Sequence, residues 1–329
     1  GDYRMGPFAD LDKMNQIFSF FRQNYTYDPY HENIFHHYHK TESLIYDYSG
    51  TEKYNASYIM TDLNIGSKIN LVTGIRFENN KTTYNSYHGM QTTLPHFNSM
   101  GSDTVSSYTR NNSYSLPSIF LKYDLTDWLT FRFAGTKTLT RPDYADIIPL
   151  YNISGGSGSV TYRNPFLKPG VSRNRDYVMT FYENRLGLLS FSYFTKNISD
   201  LIYSSGRRFI TDPSLYGLPN YTEKYQIIDY KSNNPYEVLL NGFEIDYQTR
   251  FWYLPNLFRG LVFNANYTRT ESKVKYPRTI IEQELIFVPS LQVIYSNVDS
   301  FYVDRLLDQP KDIINLNKSI ALTQENIDI

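Results

Sequence analysis

Apolar and polar residues alternate along much of the chain with a period of two, the spacing of a β-strand with one face in an apolar medium. The clearest segment runs from Leu239 to Phe251. Leu239, Phe243, Ile245, Tyr247 and Phe251 fall on one side, and Glu244, Asp246, Gln248 and Arg250 on the other. The same pattern sets Ile69, Leu71, Ile75 and Phe77 against Asn70, Arg76 and Glu78. It sets Leu129, Phe131 and Phe133 against Thr130, Arg132 and Ala134. Further copies occur at Tyr177–Phe181, Leu189–Tyr193 and Leu261–Tyr267. About nine strands are expected from Lys53 onward, and about ten with the opening residues.

Short turns are expected near Ile65–Ser67, Leu125–Asp127, Asn184–Gly187 and Tyr253–Leu257. Between them lie long polar stretches: Asn80–Ser113, Leu139–Ser172, Ser205–Pro235 and Glu271–Gln309. Structureless loops of roughly 30 residues are uncommon in a compact soluble domain. A transmembrane β-barrel combines short periplasmic turns with long extracellular loops, an apolar outer face and a wet lumen. The pattern therefore predicts an all-β fold: an antiparallel transmembrane barrel of about nine to ten strands. Tyr123, Trp128, Trp252 and Tyr253 sit beside the short turns, where an interfacial aromatic girdle belongs. The lumen face then carries Arg76, Glu78, Arg132, Glu244, Asp246, Gln248 and Arg250, as contacts for a ligand or as a solvated charged wall. One segment has helical spacing instead. Asp10–Gln23 places Leu11, Met14, Ile17, Phe18 and Phe21 on one stripe, with Asp10 as its cap. Residues 9–50 are expected to be an extracellular loop holding this short helix.

Composition narrows the classes. With 17% aromatic residues, including 32 tyrosines, the chain is not disordered. No run of about 18 apolar residues exists, so no transmembrane helix is expected. A net charge of −1 gives no general attraction to nucleic acid. The absence of cysteine removes disulfides and thiolate sites. The chain opens on Gly1 with no signal-peptide pattern, which implies a processed or truncated start.

Several motifs then carry a resemblance. Tyr114–Pro149 contains Leu116-Pro117, Arg132 with Ala134, and Thr138 with Arg141-Pro142. Asn164–Tyr203 contains Asn164-Pro165, Leu167, Pro169, Asn174, Asp176, Phe194, Lys196, Ile198 and Asp200. Asn241-Gly242-Phe243-Glu244, Ala265-Asn266-Tyr267-Thr268 and Gln309-Pro310 with Asn315 follow in order, and the Ala56–Glu78 hairpin lies upstream. Together these resemble the barrel of TonB-dependent outer-membrane receptors, particularly those of Bacteroidetes type, from about Tyr54 to Asn317. The resemblance implies energy-coupled uptake of a bulky ligand such as a siderophore, a cofactor or an oligosaccharide. It implies an outer-membrane location, a TonB complex reached through a plug domain, and in the glycan-importing branch a surface lipoprotein lid. Family barrels have roughly 22 strands and a plugged lumen. No plug segment is visible here, so the whole of 1–329 is expected to be one partial barrel domain.

Two other accounts stay open: a passive porin-like barrel, and a soluble β-rich carbohydrate-binding module. Catalysis has no visible constellation. Glu244 and Asp246 are two apart on one strand face, a spacing that strands produce routinely. The run Ser154–Ser159 lacks the P-loop pattern and is expected to be a flexible tip. No cofactor is implied. Loop tyrosines, among them Tyr84, Tyr108, Tyr144, Tyr151, Tyr162, Tyr216, Tyr221 and Tyr225, suit either stacking on a ligand or packing on one another. His31, His36, His37 and His39 beside Glu32 are weak metal candidates, because their spacing matches no metal motif. The expectation is a solvated loop. A calorimetric zinc titration should give the same heat for the wild type as for the chain with these histidines changed to Ala.

Overall fold

The structure, a computed structural model, describes residues 10–24, 47–87, 89–91, 105–287 and 291–320. Helix α1 (Leu11–Asn24) starts where Asp10 caps it. The Asp10 carboxylate accepts the backbone N–H groups of Asp12 and Lys13, both at 3.1 Å. That satisfies donors left orphaned in a first helical turn.

The rest is dominated by one antiparallel sheet. Its strands are β1 (Ser49–Ile65), β2 (Ile69–Tyr87), β4 (Val105–Thr126), β5 (Leu129–Thr140), β8 (Gly170–Glu183), β9 (Gly187–Ser199), β14 (Val238–Arg250), β15 (Leu261–Phe287), β16 (Leu291–Asp304) and β17 (Asp312–Ile320). The order follows the chain from β1 to β15, and both β16 and β17 pair with β15. β16 takes the upper part of β15 and β17 the lower, so they are one strand interrupted by residues 305–311. Pro310, which has no N–H, sits in the interruption. The detour is held on β15, where Thr270 Oγ1 donates to the Pro310 carbonyl at 2.7 Å and Ser272 Oγ to Gln309 Oε1 at 2.5 Å. Among the described residues the sheet does not close on itself, and β1 and the β16–β17 strand are its two edges.

Register puts like on like. Asn70 pairs with Lys122, Lys122 with Arg132, Arg132 with Val178, Val178 with Ser192, Ser192 with Glu244, and Glu244 with Thr268. These positions, polar except for Val178, thus form one continuous face across seven strands. The other face is an aromatic ladder: Phe133–Tyr177 at 5.1 Å, Tyr177–Tyr193 at 6.4 Å, Phe243–Tyr267 at 5.8 Å and Tyr247–Phe263 at 6.2 Å. Such pairs contribute about 0.5–1.5 kcal/mol each beyond their buried area. Among the described residues no helix is long and apolar enough to cross a membrane. A β-strand crosses a bilayer in about 9–11 residues, a length that the part of each strand nearest the short turns supplies.

The strands are longer than alternation indicates. Two stretches expected as loops are largely ladder. β2 runs to Tyr87 and β4 starts at Val105, inside the expected loop Asn80–Ser113. β15 and β16 make a tall hairpin inside the expected loop Glu271–Gln309. Above the membrane neither face meets lipid, so both can be polar and the period-two signal disappears while backbone pairing continues. Lys81–Asn111, Thr82–Arg110 and Thr83–Thr109 are such pairs.

The two remaining long connections fold. The first carries helix α2 (Tyr144–Ile147), β6 (Tyr151–Ser154) and β7 (Ser159–Tyr162). The second carries β10 (Ile202–Ser204), β11 (Arg208–Phe209), β12 (Gln226–Ile228) and β13 (Lys231–Asn233). With β3 (Gly89–Gln91) they build a second sheet of order β11-β12-β7-β6-β3, plus a β10–β13 pair. The run Ser154–Ser159 is therefore the turn of a hairpin rather than a free tip.

Short turns tolerate little change where two of them meet. Gly187 has φ +88°, and a Cβ there would collide with the Gln248 carbonyl. Gly66 has φ +62° and open space around it. Gly66→Ala should cost about 1–2 kcal/mol, the left-handed penalty alone. Gly187→Ala should cost about 3 kcal/mol or more, because strain and a backbone clash add. Urea midpoints of the micelle-folded protein check both, and equal losses would contradict the packing described.

Candidate functional site

The seven expected lumen residues all fall on the polar face, but they do not form one cluster. Arg132 Nη1 donates to Thr180 Oγ1 at 3.2 Å. Asn266 Nδ2 donates to Glu244 Oε1. Gln248 Nε2 donates to Asp246 Oδ1 at 3.0 Å. Arg250, exposed, is at the short-turn end of β14. These are local, partly exposed contacts along the polar face, each contributing about 0.2–1 kcal/mol.

Arg76 and Glu78 are different, because a loop folds onto them. The Glu78 carboxylate is 9% exposed and accepts from two guanidinium groups. Arg76 Nε reaches Oε1 at 2.8 Å, and Arg141 Nη2 reaches Oε2 at 2.6 Å. Arg76 also donates to Tyr54 Oη at 3.2 Å. Tyr144 Oη donates to Glu52 Oε2 at 3.0 Å. Arg141 and Tyr144 belong to the connection after β5, so two polar bonds strap that connection to β1 and β2. Ser86 Oγ adds a bond to the Pro149 carbonyl at 2.6 Å. Under the strap Tyr84, Ile147, Ile148, Leu150 and Leu167 form a dry cluster.

The strap is then tied to the second connection through Asp146. Its side chain is 8% exposed and faces Lys231 Nζ at 2.7 Å and Arg163 Nη1 at 3.6 Å. Asn164 Nδ2 donates to the Lys231 carbonyl at 2.9 Å. Beyond this hub Ile153, Val160, Tyr162, Ile210, Leu218 and Ile227 make a small core, with Tyr151, Tyr216, Tyr225 and Tyr230 packed against it. Tyr162, Tyr216 and Tyr230 meet pairwise at 5.6, 6.1 and 6.0 Å. Burial raises the Tyr162 and Tyr230 phenols, with neighbouring phenols adding to the shift. These rings therefore serve as the core of a folded cap. Beside it a cleft of about 310 Å³ is bordered by Tyr108, Phe166, Tyr216 and Arg163. Tyr84 and Tyr108 stand on strands rather than loops.

Tyr123, Trp128, Trp252 and Tyr253 all lie at the short-turn end. Trp128 is 53% exposed and stacks on Phe181 at 6.2 Å. Trp252 Nε1 donates to the Asn184 carbonyl at 3.0 Å, bracing one short turn against the next. His31, His36, His37 and His39 lie outside the described residues. Among the described residues no group of three or more His, Asp or Glu side chains is placed to hold a metal ion. Sequence reasoning missed Asp146, Lys231 and Arg110, and it named Arg141 only as part of the Arg-Pro motif, not as a partner of Glu78.

A wall of nine antiparallel strand positions, aromatic on one face and polar on the other, with tight turns at one end and a folded cap at the other, has the build of an outer-membrane β-barrel wall. The family model described as TonB dependent receptor-like, beta-barrel matches residues 3–317, and the chain belongs to that family. Members of this family are outer-membrane proteins, and so is this one. No curated protein matches the chain. Among solved structures it is similar to the Serratia marcescens hemophore receptor HasR, solved as a double mutant with its hemophore HasA and heme. Identity is 13% and the TM-score 0.51, covering 84% of this chain and 47% of that one. It is also similar to the ferric-catecholate import receptor Fiu from E. coli K12, at 16% identity and TM-score 0.45 over 69% of this chain and 28% of that one. The copper transporter OprC matches at 13% and 0.45 over 68% and 29%. The chain spans less than half the length of these structures.

The Asp146 hub has a measurable consequence. Removing one partner of a buried ion pair is costly, but here both cations are part-exposed and screened. Asp146→Asn should loosen the cap by about 1–3 kcal/mol. Hydrogen exchange should rise in 144–169 and 201–233 and stay unchanged in β4 and β5. Unchanged exchange throughout would show that the hub does not hold the cap.

Proposed function

We propose that the chain forms barrel wall and outer cap of a receptor for TonB-dependent, energy-coupled uptake of a bulky ligand. The observation that carries this is the covering of the polar face. Two long connections fold over the wall and lock to it at Glu78 and to each other at Asp146. A mouth roofed in this way suits capture and gated passage rather than free diffusion. The motif order supports a Bacteroidetes-type receptor. The ligand classes that fit the family are a siderophore, a cofactor or an oligosaccharide. The TonB complex would act through a plug, and a surface lipoprotein lid belongs to the glycan-importing form of this reading. Arg76 and Glu78 are proposed as wall residues that hold the strap, and Arg132, Glu244, Asp246, Gln248 and Arg250 as lining of the wet lumen. The role is transport, not catalysis.

The open edges bear on the same point. Each edge strand presents unpaired N–H and C=O groups, and in lipid these must be paired. Further strands would supply that pairing in a complete barrel. In planar bilayers this chain alone should therefore give no steady conductance. A stable, large ohmic channel from the purified chain would favour the porin-like account. A chain that stays folded and monodisperse without detergent would favour the soluble one.

A further inference from the structure

Between the strap and the wall lies a small, partly open cavity of about 70 Å³, lined by Asn80, Thr82, Tyr84 and Arg110, with Glu52 and Glu78 at its edge. It lies above the membrane-crossing part of β2. Register explains its lining. Asn80, Thr82 and Tyr84 stand on one face of β2, and Arg110 is the cross-strand partner of Thr82 on β4. The strap residues close it from above.

Its polar groups are only partly satisfied. Arg110 is 9% exposed, and its Nη2 donates to the Leu167 carbonyl. A guanidinium has five N–H donors. Among the described residues no carboxylate pairs with it, and the charged or titratable groups it faces are the phenols of Tyr108, Tyr114 and Tyr84. Among the described residues the Tyr84 hydroxyl, on a residue 4% exposed, has no hydrogen-bond partner, and Asn80 Oδ1, on a residue 7% exposed, has none either. The two carboxylates at the cavity edge are already engaged. Glu78 takes two guanidinium groups, and Glu52 takes the Asn80 amide and the Tyr144 hydroxyl. A buried cation without a counter-charge is costly, and so is each unpaired buried donor or acceptor.

We propose that this cavity is a site for one small monovalent anion, of halide or formate size, held between the Arg110 guanidinium and the Tyr84 hydroxyl. A water needs about 10–15 Å³ of such space, so the cavity admits the ion and at least one water. That water donates to Asn80 Oδ1 and to the ion, which satisfies the remaining acceptor. Burial holds the Tyr84 phenol up at about 12 and pushes the Arg110 guanidinium down, as expected for groups short of compensation. Arg110 also holds Leu167 of the strap, so the ion strengthens the seam on which the cap is seated.

Bromide is the probe. Crystals of the full-length receptor grown in sodium bromide should show an anomalous peak between Arg110 and Tyr84. Melting in detergent should occur at a higher temperature in bromide or formate than in gluconate at equal ionic strength. Tyr84→Phe, which keeps the ring, should remove most of that difference, and Arg110→Gln all of it. Subtracting the Tyr84→Phe response from that of the wild type cancels general salt effects. The proposal is overturned if the cavity shows water density without an anomalous peak. It is equally overturned if wild type and Tyr84→Phe respond alike to the anion series. If Arg110→Gln does not fold, the bromide peak and the Tyr84→Phe comparison still decide.

Discussion

Backbone pairing in a solvent that offers no hydrogen bonds is the constraint on which everything else rests. Inside the hydrocarbon each N–H and C=O must find a partner within the protein. The long in-register ladders from β1 to β15 meet that demand at every interior strand. Once register is set, the fate of each side chain follows, because neighbours in a sheet alternate faces together. That is why Arg132, Glu244 and Asn70 share a side although they stand far apart in the chain. It is also why Phe133, Tyr177 and Tyr193 touch on the other.

The wall then becomes a platform. Above the membrane β2 and β4 continue as a paired ribbon, and their polar side chains become anchors for the connections. Glu78 accepts two guanidinium groups from different elements, which orients the strap with directional, charge-assisted bonds. Asp146 passes the restraint to the second connection through Lys231. The tyrosine-rich core of the cap then makes the two connections one folded unit. A polar seam beneath a small apolar core is a sensible division of labour. The core keeps the cap intact, while the seam and the dry cluster of Tyr84, Ile147, Ile148, Leu150 and Leu167 seat it on the wall.

Much of the wall was legible in the sequence, and the reason is lipid. Where one face meets hydrocarbon, alternation is forced, so Leu239–Phe251 and Leu129–Phe133 revealed both strand and face. The tight turns at Gly66, Asn184 and Trp252 were legible for the same reason: they are the interruptions of that rhythm. The upper ribbons were not, since Lys81, Thr82 and Thr83 pair in register without any apolar signature. The cap was illegible because its strands are two to four residues long and pair across connections distant in sequence, as Val160 does with Ile227. The polar seam was half visible. Glu78 and Arg76 carried alternation, and Arg141 carried a motif. Asp146, Arg110 and Lys231 acquire meaning only once the connections fold onto the wall.

The measurement closest to the central claim is a nitroxide accessibility scan in lipid bilayers. The chain has no cysteine, so single cysteines can be introduced without background labelling. Labels at positions 129 to 134 on β5 and 243 to 248 on β14 would be challenged with oxygen, which partitions into lipid, and with a polar nickel chelate. The account predicts a period of two: oxygen dominant at Phe131, Phe133, Phe243, Ile245 and Tyr247, and nickel dominant at Arg132, Ala134, Glu244, Asp246 and Gln248. Equal nickel access on both faces, or protection of the aromatic face from both reagents, would contradict a lipid-facing wall.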